Sequence, residues 1–339
     1  MTPARLIATL LPAALLLNGC AGDPPRHARH DAPPHRADHA QPAVPLQVQA
    51  FERLGRRVVL TRTAATASAG QPVVVYLPGL GQPSEAGQRW HAAWAAAGYA
   101  VLSVQPLEAD AAAWRSELSR TGEFRELGQL HHGEVAQRDR LGMLARLLDA
   151  LRTSAPTAQL DWHHAVLAGY DTGAQTVLDW PAGGWQPQGV IAISPPPMQP
   201  ATRVPVLVIT SDVDGDPLGL IKDPAERRRG FDALAPGNAW LLSLPGVSHA
   251  GLSGTQVSED WAAQDQHKAL AMGGMARGRG GDGGRGPGGG AGVARGPRSG
   301  SATEAAQANL EAGLTLSSAF LDAQLRGTAL PANAMLTAR

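Results

Sequence analysis

The feature that most constrains this chain is a regular alternation of short apolar runs with segments of helical periodicity. Runs such as PVVVYLPG (72–79), AVLAGY (165–170) and VPVLVITS (204–211) have the composition of strands buried on both faces. A longer stretch between two of them, GEVAQRDRLGMLARLLDAL (133–151), has apolar residues at helical spacing. Strands that alternate with helices form a parallel sheet with right-handed crossovers. The sequence therefore predicts an α/β fold, with a mostly parallel central sheet flanked by helices.

The remaining elements extend the same pattern. A hairpin is expected around Leu54–Gly55, and helices are expected over Ala86–Ala97 and Pro224–Leu234. The connection Ser194–Arg203 is too short to hold an inserted helical lid, so no lid domain is predicted at that point. Further strands are expected in YAVLSVQP (99–106), GVIAIS (189–194) and AWLLSLPG (239–246), and a helix in TGAQTVLDW (172–180).

Changes in composition divide the 339-residue chain into five segments. Half of the residues between 273 and 300 are glycine, and the segment from Gly22 to Pro45 has hardly any apolar content, so both are expected to be flexible. The predicted segments are a lipoprotein signal peptide (1–19), a disordered Pro/His-rich tether (20–45), an α/β domain (46–272), a flexible Gly/Arg-rich loop (273–300) and the C-terminal helix of the α/β domain (301–327).

The first twenty residues, MTPARLIATLLPAALLLNGC, have the pattern of an export signal. The apolar run from Leu6 to Leu17 is too short to span a bilayer comfortably. LNGC resembles a bacterial lipobox, and Cys20 is the single cysteine of the chain, which predicts that Cys20 is acylated, for example with palmitate, and anchors the protein to a membrane. The following residue is Ala21 rather than Asp, and the resemblance to sorted bacterial lipoproteins then implies the outer membrane, facing the periplasm. An ordinary signal peptide with a chance cysteine is the alternative.

Charge and histidine content say little about other partners. The formal net charge of +0 gives no electrostatic basis for binding nucleic acid, even though the glycine-rich segment contains arginine. The tether carries His27, His30, His35 and His39, but their irregular spacing favours a solvated linker over a metal site. No metal or other cofactor is predicted.

The stretch AVLAGYDTGA (165–174) has the pattern of a sharp strand-to-helix turn that presents a nucleophile. Gly169 and Gly173 lie two residues before and after the tip, and Ala174 follows, which suits a strained and crowded backbone. The residue at the tip is Asp171, where such a turn commonly presents serine. The sequence therefore predicts a nucleophile elbow that carries a carboxylate.

An acid and a histidine follow the elbow in the order expected of a catalytic triad. Asp212, Asp214 and Asp216 come directly after a predicted strand, and His249 lies on the loop after the last strand of the domain. Asp214, four residues beyond Thr210, is best placed to reach His249, with Asp212 as the second choice. A surface-loop role for His249 is the alternative to a catalytic one.

These motifs together resemble the uncapped α/β-hydrolases of the dienelactone hydrolase and platelet-activating-factor acetylhydrolase-like group. The resemblance covers the chain from about Gln47 to its end, apart from the glycine-rich loop. It implies an α/β-hydrolase fold, a small-molecule substrate and no cofactor. Asp214 is then the triad acid and His249 the base, and the backbone N–H groups of Leu80 and Thr172 form the oxyanion hole. The matching stretches are VVVYLPGLGQPSEAGQRWHAAWAAAGYAVLSVQ (73–105), SDVDGDPLG (211–219), GVSHAGLSG (246–254) and SSAFLDAQLRG (317–327).

Two departures from that group affect the expected chemistry. Pro78 stands where the group has a histidine before the oxyanion glycine, and Asp171 replaces the nucleophilic serine. A carboxylate that attacks an ester gives a mixed anhydride, and its charge repels the developing oxyanion. Carboxylates instead suit displacement at an alkyl carbon, and the resulting ester is hydrolysed by water that a histidine activates. Haloalkane dehalogenases and epoxide hydrolases, on the same fold, work in this way.

The chain lacks the accessory residues typical of those two enzyme classes. Dehalogenases carry Trp directly after the nucleophile, where this chain has Thr172. Epoxide hydrolases use lid tyrosines, whereas Tyr76, Tyr99 and Tyr170 lie on or beside predicted core strands. Two hypotheses follow: a hydrolase of a small ester-like or alkyl substrate with an Asp171, His249 and Asp214 triad, or a catalytically inactive relative that binds a ligand or partner. A third hypothesis, in which Ser194 or Thr172 is the nucleophile, is weaker because neither lies at the tip of the elbow.

Overall fold

The computed structural model describes residues 45–64, 70–255 and 299–339. The predicted signal peptide, Cys20, the tether up to residue 44 and all but the last two residues of the Gly/Arg-rich loop lie outside the described residues. In the part of the chain that is described, no helix combines the length and the apolar character that crossing a bilayer requires.

The described residues form a nine-stranded sheet in the order β1-β2-β4-β3-β5-β6-β7-β8-β9. The six strands from β4 to β8 in that order run parallel, whereas β1, β2 and β9 pair antiparallel with their neighbours. The predicted α/β fold with a mostly parallel sheet is confirmed. The strands are β1 (Leu46–Arg53), β2 (Arg56–Thr63), β3 (Pro72–Leu77), β4 (Ala100–Val104), β5 (Asp161–Tyr170), β6 (Gly189–Ile193), β7 (Val206–Thr210), β8 (Ala239–Ser243) and β9 (Leu336–Ala338).

Helices flank this sheet on both faces. Three of them, α2 to α4, are short and fill the connection between β4 and the long helix α5. The helices are α1 (Gln88–Ala96), α2 (Glu108–Ala112), α3 (Glu117–Thr121), α4 (Phe124–His132), α5 (Glu134–Thr153), α6 (Thr172–Leu178), α7 (Arg229–Ala233), α8 (His249–Leu252) and the C-terminal helix (Ser299–Arg326).

Two apolar layers, one on each face of the sheet, form the core. On β3, Val73 and Val75 face one layer, while Val74 and Tyr76 face the other. All four side chains are fully buried, which explains why the central strands are continuously apolar instead of alternating. Leucines of α5 pack in the first layer. The second layer contains aromatic side chains of α1 and of the C-terminal helix, namely Trp90, Trp94 and Phe320.

Several local predictions can be compared with the structure. The hairpin turn at Leu54–Gly55 has positive φ at both residues, as a tight two-residue connection between twisted strands requires. The predicted helix over Pro224–Leu234 is instead a 3₁₀ turn at Pro224–Arg228 followed by the five-residue helix α7. The sequence did not predict β9, which pairs with β8 at the sheet edge. No lid domain is evident in the described part of the chain.

Candidate active site

The turn between β5 and α6 has the strained geometry of a nucleophile elbow. Asp171 has φ +52° and ψ −112°, which non-glycine residues rarely adopt. A Cβ on Gly169 would lie 2.3 Å from the carbonyl carbon of Gly173, and a Cβ on Gly173 would lie 2.1 Å from the carbonyl oxygen of Leu77. Glycine is therefore required on both sides of the tip because strand and helix backbones approach so closely.

Both carboxylate oxygens of Asp171 have partners. Oδ2 accepts a hydrogen bond from the backbone N–H of Leu80 at 3.1 Å. Oδ1 lies 3.5 Å from Nε2 of His132, and this imidazole is the ion-pair partner of Asp171 among the described residues. The Asp171 side chain is 10 % exposed, so the carboxylate is nearly buried but not sealed from solvent.

The electrostatic surroundings keep Asp171 ionised. Burial alone would raise the pKa of its carboxyl group. The neighbouring His132, then His249 and Arg227, and the hydrogen bond from Leu80 outweigh that effect, and the pKa of Asp171 is below its ordinary value of 3.8. At neutral pH this residue is therefore a carboxylate that needs no base to activate it.

Asp214 and His249 form the second half of the site. Asp214 is fully buried at the carboxyl end of β7, and its Oδ1 lies 2.8 Å from Nδ1 of His249. Thr210 donates to Oδ2 at 3.0 Å, and Ser194 donates to Oδ1 at 2.8 Å. All hydrogen bonds of the His249 ring to described residues involve Nδ1. This leaves Nε2 available to a ligand or to water.

Arg227 is a component of the site that sequence reasoning missed. Its Nε lies 3.2 Å from Oδ1 of Asp214 and donates to the Asp214 carbonyl at 3.0 Å. Its Nη1 donates to the Ser194 carbonyl at 3.0 Å, which ties β6 to β7. In the sequence Arg227 is one of three consecutive arginines, and its neighbours Arg228 and Arg229 are exposed while it is buried. The sequence therefore did not indicate that Arg227, unlike its two neighbours, would be buried in the site.

The two halves meet through Tyr170, the residue before the elbow tip. The Tyr170 hydroxyl donates to the His249 carbonyl at 2.9 Å, and the ring centroids of these residues are 5.1 Å apart. His249 affects the charge state of Asp171 electrostatically, without an ion pair within 4.0 Å in the described residues. In the structure, Asp214 therefore contacts His249, whereas Leu80 and His132 contact Asp171.

The other sequence-predicted candidates have different surroundings. Asp212 accepts a hydrogen bond from the Gly246 backbone at 2.7 Å and does not contact His249. Thr172 is the first residue of α6 and is fully buried. Ser194 is also fully buried, on the Nδ1 side of the His249 ring, so its hydroxyl has no access to a substrate.

His132, which sequence reasoning also missed, is held in place by α6. Its Nδ1 lies 3.1 Å from Oε1 of Gln175, and Nε2 of Gln175 donates to the His132 carbonyl at 3.0 Å. The preceding residue, His131, pairs with the fully buried Asp110 at 2.7 Å, and Arg140 pairs with the same carboxylate at 2.6 Å. The only sequence signal was the adjacent pair of histidines at the end of a helix.

The same buried network supports the loop that carries Leu80. The Gly81 N–H donates to the Asp110 carbonyl at 2.7 Å, so the loop and α2 are joined. Trp114, which is 40 % exposed, donates from its indole to the Leu80 carbonyl at 3.3 Å and so also fixes this loop. Among the described residues there is no group of three or more His, Cys, Asp or Glu side chains arranged to hold a metal ion.

Comparison with known proteins does not assign the chain to a family. No protein-family model matches it, and no curated protein is significantly similar to it. The fold is that of an α/β protein and is compatible with a hydrolase-like fold. At the carboxyl edge of its parallel strands, a buried Asp–His pair lies beside a strained aspartate.

Proposed function

We propose that this protein is a hydrolase of the α/β-hydrolase superfamily, similar in plan to the uncapped dienelactone hydrolase-like group, in which Asp171 is the nucleophile. Its substrate is a small molecule with an electrophilic alkyl carbon. His249 activates water for the second step, and Asp214 fixes the tautomer and orientation of that imidazole. The proposal uses no metal or organic cofactor.

The observation that carries the proposal is the hydrogen bond from the Leu80 N–H to Oδ2 of Asp171. In a serine esterase, the oxyanion develops on the substrate, so the donor must be free to bind a substrate oxygen. In a carboxylate-nucleophile enzyme, the oxyanion develops on the nucleophile's own carboxyl group when water attacks the ester intermediate. A donor already bonded to Oδ2 of Asp171 suits the second chemistry.

The reaction consists of two displacements. In the first, Oδ1 of Asp171 forms a bond to the alkyl carbon, and the bond from that carbon to the leaving group breaks with its electron pair. In the second, Nε2 of His249 takes a proton from water, and the resulting hydroxide adds to Cγ of Asp171. The tetrahedral intermediate, held by the Leu80 N–H, expels the product alkoxide. This alkoxide receives the proton from His249. Asp171, which is left as a carboxylic acid by the added hydroxide, loses that proton to solvent and is regenerated as the carboxylate.

The test is to trap the intermediate with 1-bromobutane as the probe. The wild-type protein should release bromide and butanol. Asp171→Asn should release neither, because an amide is a poor nucleophile. His249→Gln should accumulate one butyl group per chain on the peptide that contains Asp171, because the first step does not need the imidazole. His164→Gln, which changes a surface histidine paired with Asp161, is the matched control and should behave as wild type.

Two results would contradict the proposal. One is that His249→Gln gains no butyl adduct although the wild type turns over. The other is that wild type has no activity on alkyl halides or epoxides, whatever its activity on short-chain esters. Asp214→Asn and Asp212→Asn provide a second comparison, since only Asp214 contacts His249. Turnover should fall in the first variant and persist in the second.

A second candidate function is that of a non-catalytic relative that binds a ligand or partner. It is favoured by the fact that Asp171 already uses both carboxylate oxygens, one on Leu80 and one beside His132. Here the carboxylate simply closes a former esterase site. Esterase activity that appears in Asp171→Ser, with none in wild type on any of the three substrate classes, would support this candidate over the first.

We also propose that acylated Cys20 tethers the protein to the outer membrane, facing the periplasm. The support is the LNGC pattern after a short apolar run and the absence of Asp at the following position. Labelled palmitate should be incorporated into wild type and not into Cys20→Ala. On membrane fractionation, wild type should be found with the membranes and the variant in the soluble fraction. A labelled Cys20→Ala variant would contradict the tether.

A further inference from the structure

His132 lies next to the attacking atom of the proposed reaction. Its Nε2 is 3.5 Å from Oδ1 of Asp171, the oxygen that is not held by the Leu80 N–H. The side chain is 11 % exposed, so it lines the site close to the surface. When Oδ1 attacks an alkyl carbon, the leaving group departs from the opposite side of that carbon, so it lies one carbon atom away from the oxygen that His132 flanks.

The hydrogen bonds of His132 determine which nitrogen carries a proton. Nε2 of Gln175 donates to the His132 carbonyl, so Oε1 of Gln175 is the atom directed at the imidazole. That oxygen is an acceptor, and Nδ1 of His132 must therefore donate to it. Nε2 then carries a proton toward Oδ1 of Asp171, 3.5 Å away, only when the ring is an imidazolium, and a bare Nε2 would place a lone pair against a carboxylate.

None of the tyrosines can donate a proton beside the nucleophilic oxygen. Tyr76 and Tyr99 are fully buried, and Tyr99 donates to Asp322. Tyr170 donates to the His249 carbonyl, and burial raises its pKa well above the ordinary value. These are the three tyrosines of the chain. His132 is therefore the proton donor that the described residues place beside the nucleophilic oxygen.

We infer that His132 is a catalytic acid that protonates an oxygen leaving group, and that the substrates include epoxides or other electrophiles that leave as alkoxides. This inference rests on the proposed function. Gln175 is its positioning residue, because it holds Nδ1 and leaves the Nε2 proton directed into the site.

The proton and electron balance closes with water as the only co-reactant. As Oδ1 bonds to one epoxide carbon, the bond from that carbon to the ring oxygen breaks, and the oxygen takes its electron pair and the Nε2 proton of His132. His132 is then neutral. Hydrolysis of the ester by the His249-activated water yields the diol and one further proton at Asp171. Because this carboxyl is held ionised, that proton returns to Nε2 of His132 and completes the cycle.

The experiment compares two probes with matched chains, 1,2-epoxybutane and 1-bromobutane, and follows alkylation of Asp171 in single turnovers by mass. Bromide leaves without a proton, whereas the epoxide oxygen requires one. In His132→Gln, the ratio of the epoxide rate to the bromide rate should fall by about 10²-fold or more, the usual size of a general-acid contribution. His132→Ala with added imidazole should recover part of the epoxide rate.

The bromide reaction shows that the variant is folded, since it needs the intact elbow. Equal losses on both probes, or no loss on either, would overturn the role of His132. Wild type that alkylates with the bromide but not with the epoxide would overturn this inference while leaving the proposed function standing. Wild type that reacts with neither probe would overturn both.

Discussion

At the scale of single residues, the site depends on the ionised state of Asp171 in a nearly buried position. Burying a charge is costly unless partners compensate for it. Here the compensation comes from His132, His249, Arg227 and the Leu80 N–H, which together hold the pKa of Asp171 below 3.8. The groups that keep this carboxylate ionised therefore also contribute to folding stability.

The pH dependence of stability tests this balance. A depressed pKa means that the contribution of Asp171 is fully present above the unfolded-state value and is lost as pH falls through the lower folded-state value. Asp171→Asn should therefore unfold more easily than wild type at pH 7, by about 2 kcal/mol, a typical value for hydrogen bonds to a charged group. The difference should shrink as pH falls below 3.8. Urea unfolding of both proteins over this range measures it.

The contribution of His132 to that difference can be isolated. In a His132→Gln background the Asp171→Asn substitution should cost less at pH 7, because the ion pair is already absent. A difference between wild type and Asp171→Asn that does not change with pH would show that the ionised carboxylate contributes nothing to stability.

At the scale of elements, the turn between β5 and α6 works only because two backbones nearly touch. Gly173 packs against the Leu77 carbonyl of β3, so α6 starts directly above the end of the neighbouring strand. The continuous apolar character of AVLA predicted the strand, and the small residues predicted the turn. The same small residues predicted a strained and crowded backbone at Asp171, but not that the Leu77 carbonyl of β3 is what crowds Gly173.

Two glycine-to-alanine substitutions test this packing. Gly173→Ala should destabilise the protein by about 3 kcal/mol or more, because the new Cβ would lie 2.1 Å from the Leu77 oxygen. Gly142→Ala is the matched control, since Gly142 lies within α5 with open space around it. It should stabilise the helix by about 1 kcal/mol. Thermal or urea unfolding measures both, and similar values for the two variants would contradict the close approach.

At the scale of the whole molecule, the last twelve residues close one edge of the sheet. β9 pairs with β8, and the backbone of Arg339 bonds to Ala239 and Gly237. An uncovered edge strand exposes unpaired N–H and C=O groups and promotes aggregation. This short strand was absent from the predictions because three residues, two of them exposed, carry no periodic signal.

A truncation after Gly327 tests this edge closure. The shortened protein should melt at a lower temperature and aggregate in a concentration-dependent way, as followed by calorimetry and light scattering. Leu336→Ala keeps the backbone pairing and should have a much smaller effect. A truncated protein that melts and scatters like the full chain would show that β9 does not protect β8.

The fold class could be predicted from the sequence because the strands of a parallel sheet are buried on both faces and are therefore continuously apolar. Such a run is visible in the local composition alone. The order of Asp171, Asp214 and His249 along the chain was readable for the same reason, since each follows an apolar strand. Parallel strands place their carboxyl ends at one edge of the sheet, so these residues were expected to converge there.

Only the tertiary structure decided which neighbours each of these residues has. His132 approaches from the helices after β4, Arg227 from the turn after β7, and the Leu80 N–H from the loop after β3. These contacts join residues between 13 and 91 positions apart in the chain, and a backbone N–H is the same in every residue type. No local sequence pattern predicts these contacts, because they depend on how separate helices, strands and loops pack against one another. A local pattern predicts each element only by itself.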